Sequence, residues 1–251
     1  MIGPPTLPNE LLTALGLPPA SDAVRMQGYE AAVWRATLTD GRTVAVRLLR
    51  TGLPAEGELA ALRLARRLGQ PAPAVVAHGQ WDGREAIVAA WCRGRSMGEL
   101  LEEGGDPDAL GRLMGNAQAR LHEPAADGRT LCHLDFQPFN ILVLDGEITG
   151  IVDWGNAKMA DRRHDLAWTE IVLELAPALL PDVAPTIDAF RTSWRHGYGE
   201  VRDLPDADEL RPFLARAAAQ QLRDWAPRAD AGECPASVVD AAEAIATRWS
   251  G

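Results

Sequence analysis

Apolar and polar positions repeat at two different periods along this chain, and the change of period falls near residue 94. Before it, short apolar runs bounded by turn residues read as strands, at 24–26, 33–39 and 43–49, the last spelled TVAVRLL. Asp40-Gly41 separates the last two and reads as a hairpin turn. One amphipathic helix follows, opened by Pro54 and running to Leu68, with Leu59, Leu62, Ala65 and Leu68 near one face. Gly69 and then Pro71 form its stop signal. Residues 75–77 and 86–90, on either side of Trp81-Asp82-Gly83, complete a small antiparallel sheet.

Beyond Gly94-Arg95 the pattern turns helical. Ser96 with Glu99 three residues later is a capping box, and Asp106-Pro107 places a capping residue ahead of a helix-compatible proline. Leu110, Leu113, Met114, Ala117 and Leu121 then fall on one stripe. Further helices are expected over 165–178, 185–196 with a stop near Gly197, 208–225 and 237–249. A hairpin interrupts them, built from the apolar runs 141–144 and 148–152 around Asp145-Gly146.

Composition narrows the function classes. A chain of 251 residues with net charge −10 lacks the basic surface a nucleic-acid binder needs. Nothing approaches the roughly 20 consecutive apolar residues of a membrane helix, and no basic-then-apolar leader opens the sequence, so a cytoplasmic protein is expected. Cys92, Cys132 and Cys234 form no C-x-x-C pair, and the five histidines show no metal-ligand spacing. A thiolate or histidine metal centre is therefore not expected.

The chemistry concentrates in residues 131–167. Folding the hairpin brings its outer ends together, so Asn140 and Asp153 should nearly face each other. Asp135 lies just upstream, in a loop stiffened by Pro138. Two carboxylates and one amide oxygen thus gather at one end of an apolar scaffold. Such donors suit Mg²⁺, which takes few protein ligands and completes its shell with water and phosphate oxygens. A further aspartate not needed by the metal can take a proton from an attacking hydroxyl, and phosphoryl transfer asks for little more than that.

At the level of motifs the resemblance is specific. His133-Leu134-Asp135 followed by Asn140 resembles the H-x-D-x-x-x-x-N loop of kinases, and Asp153-Trp154-Gly155 stands where protein kinases carry D-F-G. The tryptophan, the short gap between the motifs and the trailing Asp161 and Asp165-Leu166-Ala167 resemble the aminoglycoside phosphotransferase family. That resemblance implies an α+β, protein-kinase-like fold of two lobes. Residues 1–91 would form a nucleotide-binding sheet lobe, and 92–251 a mostly helical lobe for catalysis and acceptor binding. It implies ATP (or GTP) and Mg²⁺ as cofactors and a small-molecule hydroxyl acceptor as substrate. It implies Asp135 as base, Asn140 and Asp153 as metal ligands, and His133 and Asp165 as supports of the loop. Gly28, within Gln27-Gly28-Tyr29-Glu30, would belong to the nucleotide-covering turn, and the backbone around Ala90, Trp91 and Cys92 would hold the base of the nucleotide.

Two features depart from the family pattern. Arg47 stands where a lysine is usual after Val44-Ala45-Val46, and its expected partner is Glu58, with Glu56 as second choice. Only one glycine, Gly28, occupies the covering turn, so G-x-G-x-x-G is absent. Glu170, Glu174 and Asp188 are candidates for a carboxylate-lined groove suited to a cationic acceptor, or for a solvated helix face, the reading preferred for any one of them. The competing reading is a kinase-like module that binds a nucleotide or a partner without catalysis, for which Arg47 is the one supporting feature.

Overall fold

The structure, a computed structural model, describes residues 9–26 and 31–250. The covering turn at residues 27–30, Gly28 included, lies outside the described residues. The chain divides into two compact units, Met1–Arg93 and Gly94–Gly251.

The described part of the first unit starts with a short helix, α1 (Asn9–Ala14), which the sequence reading did not anticipate. Strands β1 (Ala20–Met26), β2 (Ala31–Leu38) and β3 (Thr43–Leu49), helix α2 (Glu56–Arg67), and strands β4 (Val75–Trp81) and β5 (Arg84–Ala90) follow. The five strands make one antiparallel sheet in the order β1-β2-β3-β5-β4. Both tight turns sit where expected: Gly41 adopts φ +85° between β2 and β3, and Asp82 and Gly83 both adopt positive φ between β4 and β5.

Alternation along β3 decides which side chains meet which layer. Val44, Val46 and Leu48 bury on one face with Leu11, Leu12, Trp34 and Val88. Arg47 and Leu49 point the other way, and the register Val33, Arg47, Ile87 across three strands lines them up on that face. There Leu49 and Ile87 pack with Ala55 and Leu59, at and just after the start of α2. Arg47 therefore emerges on the side of the sheet that α2 covers.

The second unit contains β6 (Arg95–Ser96), α3 (Met97–Glu102), α4 (Pro107–Leu121), β7 (Thr130–Cys132), β8 (Ile141–Leu144), β9 (Glu147–Ile151) and β10 (Lys158–Ala160). Helices α5 (Arg162–Leu179), α6 (Ala184–Gly199), α7 (Ala207–Asp230) and α8 (Ala236–Ser250) complete it. The Ser96–Glu99 capping box forms, and Asp106 caps α4 by accepting from the amides of Asp108 and Ala109. One core joins α5, α7 and α8 through Ile171, Leu175, Leu214, Val238 and Ile245. No helix among the described residues is long and apolar enough to cross a membrane.

Helices α4 and α6 pack unusually closely, and glycine is the reason. A Cβ added at Gly115 would lie 2.0 Å from the Trp194 carbonyl oxygen, and one at Gly111 would lie 2.4 Å from that of Phe190. On the facing helix, a Cβ at Gly197 would meet the Arg112 carbonyl oxygen at 2.2 Å. Gly197 is thus a packing residue and not the expected stop, and α6 continues to Gly199. The buried stripe of α4 also differs from the expected one. Gly111, Met114, Gly115, Gln118, Ala119 and Leu121 are buried, whereas Leu110, Leu113 and Ala117 are only half-buried. Glycine and glutamine carry no apolar signal, so an apolar stripe could not reveal that face.

Candidate active site

The loop after β7 and the hairpin β8–β9 supply the groups that the motif singled out. Ile141 pairs with Ile151, and the Val152 amide donates to the Asn140 carbonyl oxygen at 2.9 Å, so Asn140 sits opposite Val152 with Asp153 next in sequence. Asp145 and Gly146 close the hairpin with positive φ at both positions. Asp153 itself has φ +65°, a left-handed conformation that side chains other than glycine adopt at a cost. Trp154 beside it is fully buried, donates its indole N–H to the Ile151 carbonyl at 2.7 Å, and packs its ring 4.7 Å from that of His133. Asp153 is exposed while its neighbour anchors the turn.

His133 lies behind the loop. It is fully buried, and because a carbonyl can only accept, its Nε2–H must donate to Val152 O at 3.0 Å. Its Nδ1 has no hydrogen-bond partner among the described residues. That placement leaves it no access to an acceptor hydroxyl.

Asp135 is held by both of its carboxylate oxygens. The Asn140 Nδ2 donates to Oδ2 at 2.8 Å and to the Asp135 carbonyl at 2.9 Å. The Trp168 indole N–H donates to Oδ1 at 3.3 Å. Burial pushes the Asp135 carboxyl above its usual value; His133 opposes this, and the Asp153 charge reinforces it. Because the Asp135 carbonyl oxygen and Oδ2 both face the Asn140 NH₂, the amide's orientation is fixed and its Oδ1 is left as the oxygen donor. Among the described residues no three His, Cys, Asp or Glu side chains form a metal cage. Magnesium does not require one, and Asn140 Oδ1 with the Asp153 carboxylate is a donor set that fits it.

Helix α5 ties the loop from behind. Asp165, without solvent exposure, accepts the Leu134 amide at 2.5 Å and the His122 Nε2–H at 2.9 Å, with Gln118 Nε2 at 3.4 Å. Leu134 has φ +59°, so this bond secures a strained residue immediately before Asp135. The Thr169 hydroxyl donates to the Phe136 carbonyl at 2.8 Å. Further back, His122 Nδ1 meets the Tyr198 hydroxyl at 2.9 Å, Arg162 donates to that hydroxyl at 3.0 Å, and Trp194 donates to Gln118 Oε1 at 2.8 Å. Sequence reasoning missed Gln118, His122, Trp168, Thr169 and Tyr198. Gln118 and His122 stand one helical turn apart, off the apolar stripe of the sequence, so no pattern of hydrophobicity singled them out.

In the first unit Arg47 forms a part-buried ion pair with Glu58, which is buried, while Glu56 is exposed. The Ala90 amide donates to Ala74 O and the Trp91 amide to Thr43 O, which commits both to the sheet. Cys92 follows, its thiol pushed up by burial. The three candidate groove carboxylates fall in different settings. Glu170 is buried in ion pairs with Arg191 and Arg195, and Glu174 pairs with Arg248, so both carboxylates are already neutralised from within. Asp188 is exposed.

The sequence model of the phosphotransferase enzyme family, APH, matches residues 24–127 and 123–213. No curated protein matches the sequence. Solved structures share the fold at low identity. Aminoglycoside phosphotransferase APH(4)-Ia is 16% identical, with a TM-score of 0.69 over 96% of this chain and 97% of that one. Macrolide 2'-phosphotransferase MphH from Brachybacterium faecium is 19% identical, with a TM-score of 0.62 over 94% and 96%. Spectinomycin phosphotransferase APH(9)-Ia, solved with ADP and spectinomycin, is 15% identical, with a TM-score of 0.61 over 94% and 96%.

Proposed function

Because the chain belongs to the phosphotransferase enzyme family, we propose that it moves the γ-phosphate of ATP to a hydroxyl group of a small molecule, with Asp135 as the base. The observation that carries this is the double hold on the Asp135 carboxylate by Asn140 and Trp168, beside a hairpin end that presents Asp153. Each carboxylate oxygen can accept two hydrogen bonds, so Asp135 keeps room for the acceptor hydroxyl. As the acceptor oxygen bonds to phosphorus and the bond from phosphorus to the ADP oxygen breaks, the hydroxyl proton passes to Asp135. A magnesium ion held by Asn140 and Asp153 would neutralise phosphate charge. Arg47, steadied by Glu58, offers a planar fork of donors suited to phosphate oxygens. The backbone at Ala90 and Cys92 is the proposed seat of the adenine. ATP is favoured over GTP because a related structure was solved with ADP.

The test is ADP release from Mg-ATP by the purified protein across hygromycin B, spectinomycin, macrolides, amino alcohols and sugars, with Asp135→Ala as control. Turnover with one acceptor class, lost in the variant, supports the proposal. Bound ATP with no turnover for any of them favours the non-catalytic module.

A further inference from the structure

Three consecutive loop residues hang from one face of α5. Asp165 holds the Leu134 amide, Trp168 holds the Asp135 side chain, and Thr169 holds the Phe136 carbonyl. The spacing 165, 168, 169 is one turn of helix, so the three side chains project together. Asp165 is the support that the resemblance implies; Trp168 is assigned nothing by it. We propose that Trp168 is a positioning residue for the catalytic base, using its indole N–H to fix the direction of the Asp135 carboxylate.

Several observations converge on it. Asn140 grips Oδ2, and this leaves the carboxylate free to pivot unless Oδ1 is also held. Trp168 is the donor to Oδ1, and it is a donor that cannot be anything else, since an indole has one N–H and no acceptor. Its ring is seated on the α5, α7, α8 core, so the N–H is aimed by packing and not by a mobile chain. The neighbouring Thr169 is itself fixed, accepting from Gln118 Nε2 at 2.9 Å, and Gln118 in turn accepts from Trp194. The orientation of the base is thus set by the helices behind it. The catalytic consequence rests on the phosphotransfer reading; the contact does not.

The experiment reads the two separately. In ¹⁵N-labelled protein the Trp168 indole signal is identified by its loss in Trp168→Phe, a change that keeps an aromatic ring in the core and removes the donor. The indole proton should exchange slowly with solvent, and its signal should move in Asp135→Ala. Fast exchange and an unmoved signal would overturn the proposal whatever the activity. ADP release from Mg-ATP with water as the acceptor is then compared between wild type and Trp168→Phe. The expected result is a loss of about tenfold or more in kcat, with KM for Mg-ATP and the melting temperature unchanged. Unchanged kcat beside a coupled indole would also overturn it. A coupled indole in a wild-type protein that releases no ADP with water or with any acceptor of the panel above would refute the phosphotransfer reading while upholding the contact.

Discussion

The His122 imidazole stands 2.9 Å from the Asp165 carboxylate, and neither side chain is exposed to solvent. Burial is the largest single influence on Asp165 and pushes its carboxyl upward. The hydrogen bond and charge of His122, the charge of His133 and the Leu134 amide together outweigh it and hold the group below 3.8. The unfolded chain therefore binds this proton more readily than the native state. The stabilisation is full above pH 3.8 and drains away as pH falls through the lower native value. His122→Ala, by breaking a buried pair, should cost about 3–5 kcal/mol and flatten that part of the acid dependence. Urea unfolding of both proteins from neutral to acid pH checks it, and equal slopes would count against the pairing.

Gly115→Ala should destabilise by about 3 kcal/mol or more, because the new methyl meets backbone atoms of Trp194 and Tyr198 that cannot swing aside. Gly57→Ala in α2 meets nothing within 4 Å among the described residues and should be neutral or stabilise by up to about 1 kcal/mol. Denaturant midpoints of the two variants, measured side by side, separate a packing glycine from a merely tolerated one.

Asp135→Ala should lower transfer by about 100-fold to 10,000-fold with little change in nucleotide affinity, since the base acts on the acceptor and the backbone carbonyl at 135 still holds the Asn140 amide. Asp153→Ala should instead weaken nucleotide binding only when magnesium is present. Calorimetric titration of nucleotide with and without the metal distinguishes these roles, and identical behaviour of the two variants would contradict the assignment.

Arg47→Ala should raise KM for Mg-ATP by about tenfold or more, losing the charge-assisted donors proposed for phosphate. Arg47→Lys should recover part of that loss, because the charge returns without the planar fork. Steady-state kinetics of the three proteins check the order.

Local signals made much of this molecule readable. Strand alternation and the Asp-Gly turns placed the sheet and the β8–β9 hairpin, because turn and pattern act over a few residues. The same locality brought Asn140 beside Val152 and Asp153. What escaped depended on contacts distant in sequence. Tyr198 reaches His122 across 76 positions, and Trp168 reaches Asp135 across 33. Gly197 read as a terminator because a helix-breaking residue and a close-packing residue are the same residue on paper. Glu170 and Glu174 read as a solvated face or a groove lining because the arginines that neutralise them arrive from α6 and α8.

The hairpin and the α5 clamp also differ in when they can form. Asn140 and Asp153 are brought together by neighbouring segments, a closure that costs little chain entropy and is fast. The direction of the Asp135 carboxylate waits on α5, and α5 is braced through Gln118 and His122 by the distant α6. During refolding, the proposed magnesium donors should therefore be assembled before the base is aimed. Recovery of metal-dependent nucleotide binding should precede recovery of turnover.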